Sequence, residues 1–192
     1  MKTQEKSQLQ EIEKAANILK SGGVVIFPTD TVYGIGCIYD NDKAVDRVYK
    51  IKGTEKTQAF PVLVASVEQV EKVAQLNSLA KSLISKFWPG GLTLVLKKKD
   101  GSQKVGFRMP NSDLVRSLIE KAGSPIVGTS ANLHTHQTPN SYEELDPKVT
   151  KQVDYVVKGE CELGRASTVV DVTISPPKIL RQGAVQLNDI EN

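Results

Sequence analysis

Short apolar runs broken by polar turns organise this chain. Val24-Val25-Ile26-Phe27, Pro61-Val62-Leu63-Val64-Ala65, Leu92-Thr93-Leu94-Val95-Leu96, Pro125-Ile126-Val127-Gly128-Thr129 and Thr168-Val169-Val170-Asp171-Val172 have the length and β-branched content of buried strands. Residues 104–108 and Tyr155-Val156-Val157 predict shorter ones. Between them the period changes. Leu9, Ile12, Ala15, Ala16, Ile18 and Leu19 recur at helical spacing and stop at Ser21-Gly22-Gly23. Ala44, Val45, Val48 and Ile51 share one face of a helix over 42–52, with Asn41 or Asp42 as its cap. The pattern predicts further helices over 67–73, 78–87 and 113–122, and a short one within 142–149. Strands outnumber helices, and several are joined by short turns. This predicts an α/β fold with one twisted, mixed β-sheet and flanking helices. No linker or repeat divides the chain, so 1–192 is expected to be a single domain, with its core over about 9–186 and a polar C-terminal tail.

Composition narrows the classes. The 192 residues suffice for one substantial core. No apolar run approaches the roughly 20 residues of a membrane span. The first residues lack the apolar segment of a signal peptide, which points to a cytoplasmic protein without membrane contact. Cys37 and Cys161 are too few for a disulfide framework, and with His134 and His136 they lack metal-ligand spacing. Cys37 reads as a buried packing residue. A net charge of +3 suits anionic ligands without marking a nucleic-acid protein. Lys97-Lys98-Lys99 precedes the turn pair Asp100-Gly101 and reads as a strand end.

Three apolar strands carry a hydroxyl-rich cluster at one end. The first is Pro28-Thr29-Asp30-Thr31-Val32-Tyr33-Gly34-Ile35-Gly36. The others are Thr129-Ser130-Ala131-Asn132 and Ser167-Thr168. Polar groups at strand ends are where α/β sheets place ligands. No Ser–His arrangement or carboxylate pair accompanies them, so nucleophilic triads and two-carboxylate hydrolysis are excluded. What remains is positioning chemistry, in which hydroxyls, amides and cations hold carboxylates and phosphates. The basic candidates are Lys50, Lys52, Lys56, Lys104, Arg108, Arg165 and Arg181. Arg108 and Arg181 stand out at strand ends beside Pro or Gly, where a planar fork can grip an oxyanion. Neither G-x-x-x-x-G-K-[ST] nor G-x-G-x-x-G occurs, so any nucleotide sits in another cradle.

These motifs resemble the YrdC-like family of L-threonylcarbamoyladenylate synthases, in its short, single-domain form. The resemblance runs from about Ile12 to Val185. It rests on P-T-D-T-V-Y-G-I-G (28–36), F-W-P-G-G-L-T (87–93), F-R-M-P (107–110), T-S-A-N (129–132), S-T-V-V-D (167–171) and L-R-Q-G-A (180–184). It implies a mixed α/β fold with a large basic cavity. It implies that L-threonine, bicarbonate and ATP give threonylcarbamoyl-AMP and pyrophosphate, for t6A modification of tRNA. ATP is then a substrate, with Mg2+ expected beside it and its ligands unassigned. Downstream t6A transfer proteins are implied partners, with possible RNA contact. Thr31 and Ser167 resemble the threonine-side hydroxyls, and Arg108 the contact to the threonine carboxylate. Lys52 resembles the first basic residue of the family's K-x-R element near the phosphates. Ser130, Asn132 and Arg181 resemble nucleotide contacts. Lys52, Arg108 and Arg181 are the implied catalytic cations.

The match departs in one loop. The family reads roughly K-x-R-P-x-x-K/N-P-L, whereas this chain has Lys52-Gly53-Thr54-Glu55-Lys56-Thr57-Gln58-Ala59-Phe60. The arginine that normally faces the phosphates is Thr54. Leu63 stands where some members have His. Lys104 stands where many have Thr, four residues before Arg108, and could restore nucleotide-side charge. Two classes follow: an active synthase with a remodelled nucleotide loop, and a catalytically weakened nucleotide- or RNA-binding protein of the same fold.

Overall fold

The computed structural model describes residues 2–57 and 59–187. Gln58 and residues 188–192 of the polar tail lie outside the described residues. The helices are α1 (Lys2–Lys20), α2 (Asp42–Lys52), α3 (Val67–Val73), α4 (Ser78–Phe87), α5 (Asp113–Ala122) and α6 (Pro147–Thr150). The strands are β1 (Val25–Pro28), β2 (Tyr33–Gly36), β3 (Val62–Leu63), β4 (Leu92–Lys97), β5 (Lys104–Arg108), β6 (Ile126–Val127), β7 (Thr129–Ser130), β8 (Tyr155–Val156), β9 (Thr168–Asp171) and β10 (Lys178–Arg181). The caps follow local chemistry. Asn41, rather than Asp42, accepts from the Ala44 amide, and Asn77 accepts from the Ala80 amide. Gly53 and Gly123 close α2 and α5 in the left-handed region.

The strands form two mixed sheets where one was expected. One has the order β7-β2-β1-β8 and the other β10-β9-β4-β5-β3-β6. The chain passes between them at Gly128, which separates β6 from β7. Periodicity marks a strand's existence but not its partner, so the second sheet was not legible. Tyr33–Gly36, part of the first hydroxyl-rich cluster, is itself a strand. It pairs antiparallel with β1, Val25 opposite Gly36 and Pro28 opposite Tyr33. Its glycines serve close approach. A Cβ on Gly36 would lie 1.9 Å from the Val127 carbonyl oxygen. Of the predicted 142–149 helix only α6 forms, since Pro147 disfavours helical backbone at Asp146, whose side chain caps it.

Packing explains the apolar runs. Val24, Val25, Ile26 and Phe27 are all fully buried. Helices α1 and α5 pack together over Phe27, Leu63 and Ile126. Helix α2 lays Ala44, Val48 and Ile51 against Tyr33 and Ile35. Trp88, Leu92, Leu94 and Phe107 fill a third cluster with α3 and α4. The β1–β2 turn and the ends of β5, β7 and β10 are left facing a common space. No described helix is long and apolar enough to cross a membrane.

Candidate active site

Thr29 builds the turn that carries the first cluster. Its Oγ1 accepts from the Thr31 amide at 3.0 Å and the Val32 amide at 3.2 Å, and donates to the Val32 carbonyl at 2.8 Å. A hydroxyl closing its own turn in this way frees the neighbouring side chains to point elsewhere. Thr31 Oγ1 accepts from Arg108 Nη1 at 2.7 Å. Arg108, at the end of β5, also donates from Nε to the Gly90 carbonyl at 2.9 Å and from Nη2 to the Asp30 carboxylate. The Arg108 and Asp30 side chains are 7% and 2% exposed. Burial pushes the Arg108 pKa down, while the charge and hydrogen bond of Asp30 push it back up.

The other two clusters arrive from β7 and β9. Ser167 Oγ lies 2.8 Å from Thr93 Oγ1, both buried. Arg181 donates from Nε to the Ser167 carbonyl at 3.0 Å and from Nη2 to its hydroxyl at 3.1 Å. Partial burial, then the nearby charge of Arg108, lower the Arg181 pKa.

Thr31, Arg108 and Ser167 line an inner cavity of about 110 Å³, with Val32, Leu63 and Ala166 as apolar wall. Lys52, Lys104, Asn132 and Glu55 line an outer cavity of about 800 Å³. Pro61, Thr93, Thr129, Ser130 and Arg181 line both. The three hydroxyl clusters, scattered in sequence, therefore converge on one composite site.

Lys52 lines the outer cavity, and the 130–132 segment holds its ammonium there. Its Nζ donates to the Ser130 carbonyl at 2.6 Å, the Asn132 carbonyl at 2.9 Å and Asn132 Oδ1 at 3.1 Å. All three protons of an ammonium are thus committed to the 130–132 segment. Burial among uncharged acceptors pushes its pKa down to about 8. Lys52 buttresses Ser130 and Asn132 within the wall of the outer cavity. Ser130 Oγ completes the network by donating to Asn132 Oδ1 at 2.6 Å.

The other cations sort clearly. Lys104 faces the outer cavity and pairs with Asp171 at 3.1 Å. Lys56 turns to Asp46, so it does not replace the family arginine. Lys50 and Arg165 are exposed and line neither cavity. Thr54 and Glu55 line the outer cavity, leaving a hydroxyl and a carboxylate where the family pattern has arginine and proline. Cys37 is buried, and burial pushes its thiol up to about 12, which makes it inert at neutral pH. Among the described residues no three His, Cys, Asp or Glu side chains could hold a metal ion.

The Thr93 hydroxyl and the Gly90 carbonyl escaped the sequence reading, which placed the Asp30 carboxylate in the first cluster but gave it no role. Thr93 carried a signal, being a lone hydroxyl inside an apolar strand. Asp30 carried one too, following a fully apolar strand. The Gly90 carbonyl is backbone and carries none.

Residues 17–183 match the family model Sua5_yciO_yrdC, whose description reads "Telomere recombination". The chain belongs to this family. A Pyrococcus abyssi protein named "Threonylcarbamoyl-AMP synthase" is 35% identical over 94% of this chain, which spans 56% of that protein's length. The solved structure of P. abyssi Sua5 complexed with L-threonine superposes with a TM-score of 0.85, covering 90% of this chain and 54% of that one. A Methanocaldococcus jannaschii relative is 35% identical over 94% of this chain and 91% of its own length. The crystal structure of Escherichia coli YciO, 26% identical, covers 94% of this chain and 91% of its own, with a TM-score of 0.81.

Proposed function

We propose that this protein is an L-threonylcarbamoyladenylate synthase. The observation that carries the reading is the shared wall between a small inner cavity and a large outer one. Joining an amino-acid carbamate to a nucleotide needs two binding sites that abut at the reacting atoms. The inner cavity takes L-threonine, its carboxylate on Arg108 and its polar atoms near Thr31 and Ser167. The outer cavity takes ATP, with Ser130 and Asn132 at the nucleotide, Lys104 supplying charge and Arg181 at the junction. Residues 9–186 act as the single domain that holds both.

The chemistry balances without a dedicated nucleophile. The threonine amine and bicarbonate give a carbamate and water. A carbamate oxygen attacks the α-phosphorus, the bond to the β-phosphate oxygen breaks, and pyrophosphate leaves. Charge builds on the α-phosphoryl oxygens during attack. Arg181 sits at the junction to stabilise it, which is a larger contribution than any proton transfer here. Glu55 is the one carboxylate lining the outer cavity among the described residues, so these side chains do not compose a metal site. Mg2+ enters as part of the MgATP substrate. The product would pass to t6A transfer proteins acting on tRNA in the cytoplasm.

A second reading is favoured by the outer cavity alone. Thr54 stands where the family pattern has a cation, Glu55 adds a negative charge, and Lys52 has no proton to spare. That suits a nucleotide or RNA binder without turnover. The deciding experiment is pyrophosphate release from ATP, Mg2+ and bicarbonate, with and without L-threonine. Threonine-dependent release that falls in Arg181→Ala supports the synthase. Release equal to the minus-threonine control, with salt-dependent RNA binding, supports the binder.

A further inference from the structure

The least explained group in the site is Asp30. Its Oδ1 accepts from Arg108 Nη2, while its Oδ2 is buried and has no hydrogen-bond partner among the described residues. A buried, half-satisfied carboxylate costs stability, and a neutral pair of the same shape would hold the fold as well. What the charge supplies instead is direction. Arg108 has five N–H bonds. One on Nε goes to Gly90, one on Nη1 to Thr31 and one on Nη2 to Asp30. Two remain, one on each terminal nitrogen, enough for a two-point contact to a carboxylate. Arg108 lines the inner cavity and Asp30 does not, so Asp30 holds the guanidinium from outside it. The Asp30 carbonyl also accepts from the Leu163 amide at 2.9 Å. Its backbone is therefore tied to the segment leading into Ser167, and the side chain has a fixed base.

We propose that Asp30 is the positioning residue of the inner cavity, orienting Arg108 so that its two remaining N–H bonds meet the carboxylate of the amino-acid substrate. The inference rests on the synthase reading for the identity of that substrate. It assigns Asp30 no contact with the substrate and no proton transfer.

The test is a double-mutant cycle read by calorimetric titration of L-threonine and, separately, of ATP. The proteins are wild type, Asp30→Asn, Arg108→Gln and the double variant, each with its melting temperature measured. Asp30→Asn keeps the shape and removes the charge. It is expected to weaken L-threonine about ten- to a hundredfold, as misorientation of a contact does, while ATP affinity moves less than about twofold. In the Arg108→Gln background the same change is expected to be nearly silent, because Asp30 acts only through Arg108. The neutral double variant should melt no lower than Arg108→Gln, which leaves a buried charge unpaired. Equal losses in both backgrounds, or unchanged L-threonine affinity in folded Asp30→Asn, would overturn the proposal. If Asp30→Asn does not fold, Asp30→Glu takes its place with the same expectation, since one added methylene displaces the fork. If wild type binds no L-threonine, the synthase reading falls, and the Arg108 Nε–H resonance decides the role of Asp30. A sharp resonance in wild type that is lost in the variant supports orientation, and an unchanged one refutes it.

Discussion

Arg181 holds Ser167 by both its carbonyl and its hydroxyl oxygen, at 3.0 and 3.1 Å. The cation shared by the two cavities and the hydroxyl of the inner one are therefore one mechanical unit, braced by Thr93 at 2.8 Å from Ser167 Oγ. Ser167→Ala removes one of the two anchors and leaves the Thr93 hydroxyl without this partner. Steady-state kinetics should show kcat falling by about ten- to a hundredfold, with the KM for both L-threonine and ATP rising. The effect should be sub-additive with Arg181→Ala, because the two residues act together. Strict additivity would separate the two sides of the site.

Lys52 should make nucleotide binding pH-sensitive. Its pKa lies at about 8, and the neutral amine has two N–H bonds for three acceptors. Above that pH one contact to the 130–132 segment is lost, so ATP affinity should fall between pH 7 and pH 9. Calorimetric titration across that range checks this, and a flat profile would contradict it.

Stability should move the other way. The folded pKa of Lys52 lies below the ordinary lysine value of 10.5. Between about 8 and 10.5 the unfolded chain holds a proton that the folded chain lacks, so stability rises with pH through that window. Below it the charged, buried lysine costs the fold up to roughly 3 kcal/mol. Lys52→Met should lack this rise. Denaturant titrations of both proteins at pH 7 and pH 10 isolate the difference, because Cys37 and Cys161 titrate in both.

Thr54→Arg should strengthen the nucleotide side. Thr54 lines the outer cavity beside Glu55, and an arginine there would meet phosphate oxygens. A charge-assisted contact contributes about 1.5–3 kcal/mol, or roughly tenfold to a hundredfold in affinity. Titration with ATP measures this. No gain would mean that the 53–57 loop does not approach the phosphates.

Gly36 and Gly53 should respond differently to alanine. A Cβ on Gly36 would press 1.9 Å from the Val127 carbonyl oxygen, whereas one on Gly53 meets nothing within 4 Å. Gly36→Ala should cost at least about 3 kcal/mol, since backbone cannot yield as a side chain does. Gly53→Ala should cost about 1 kcal/mol, the strain of positive φ. Equal costs in denaturant unfolding would mean that the contact between the two sheets at Gly36 can relax.

Most elements and most candidate side chains were legible along the chain, because both are local properties. Helical spacing located α1, α2, α4 and α5. Apolar runs located β1, β4 and β9, and polar residues at strand ends singled out Thr31, Ser130, Ser167, Arg108 and Arg181. Only the tertiary structure decided which of these meet. Thr31 and Arg108 are 77 positions apart, and Lys52 and Ser130 are 78 apart. No local pattern encodes such pairs. Thr54 shows how a substitution legible in the sequence acquires meaning from the cavity it faces. Lys52 shows it too. The family resemblance put its charge near the phosphates, and the fold adds that three backbone and amide oxygens of the 130–132 segment accept its protons at that cavity wall. The role of Asp30 was hidden for the same reason, since its partner reaches it only when β5 and the β1–β2 turn are brought together. Periodicity is written along the chain, whereas hydrogen-bond satisfaction is settled across it.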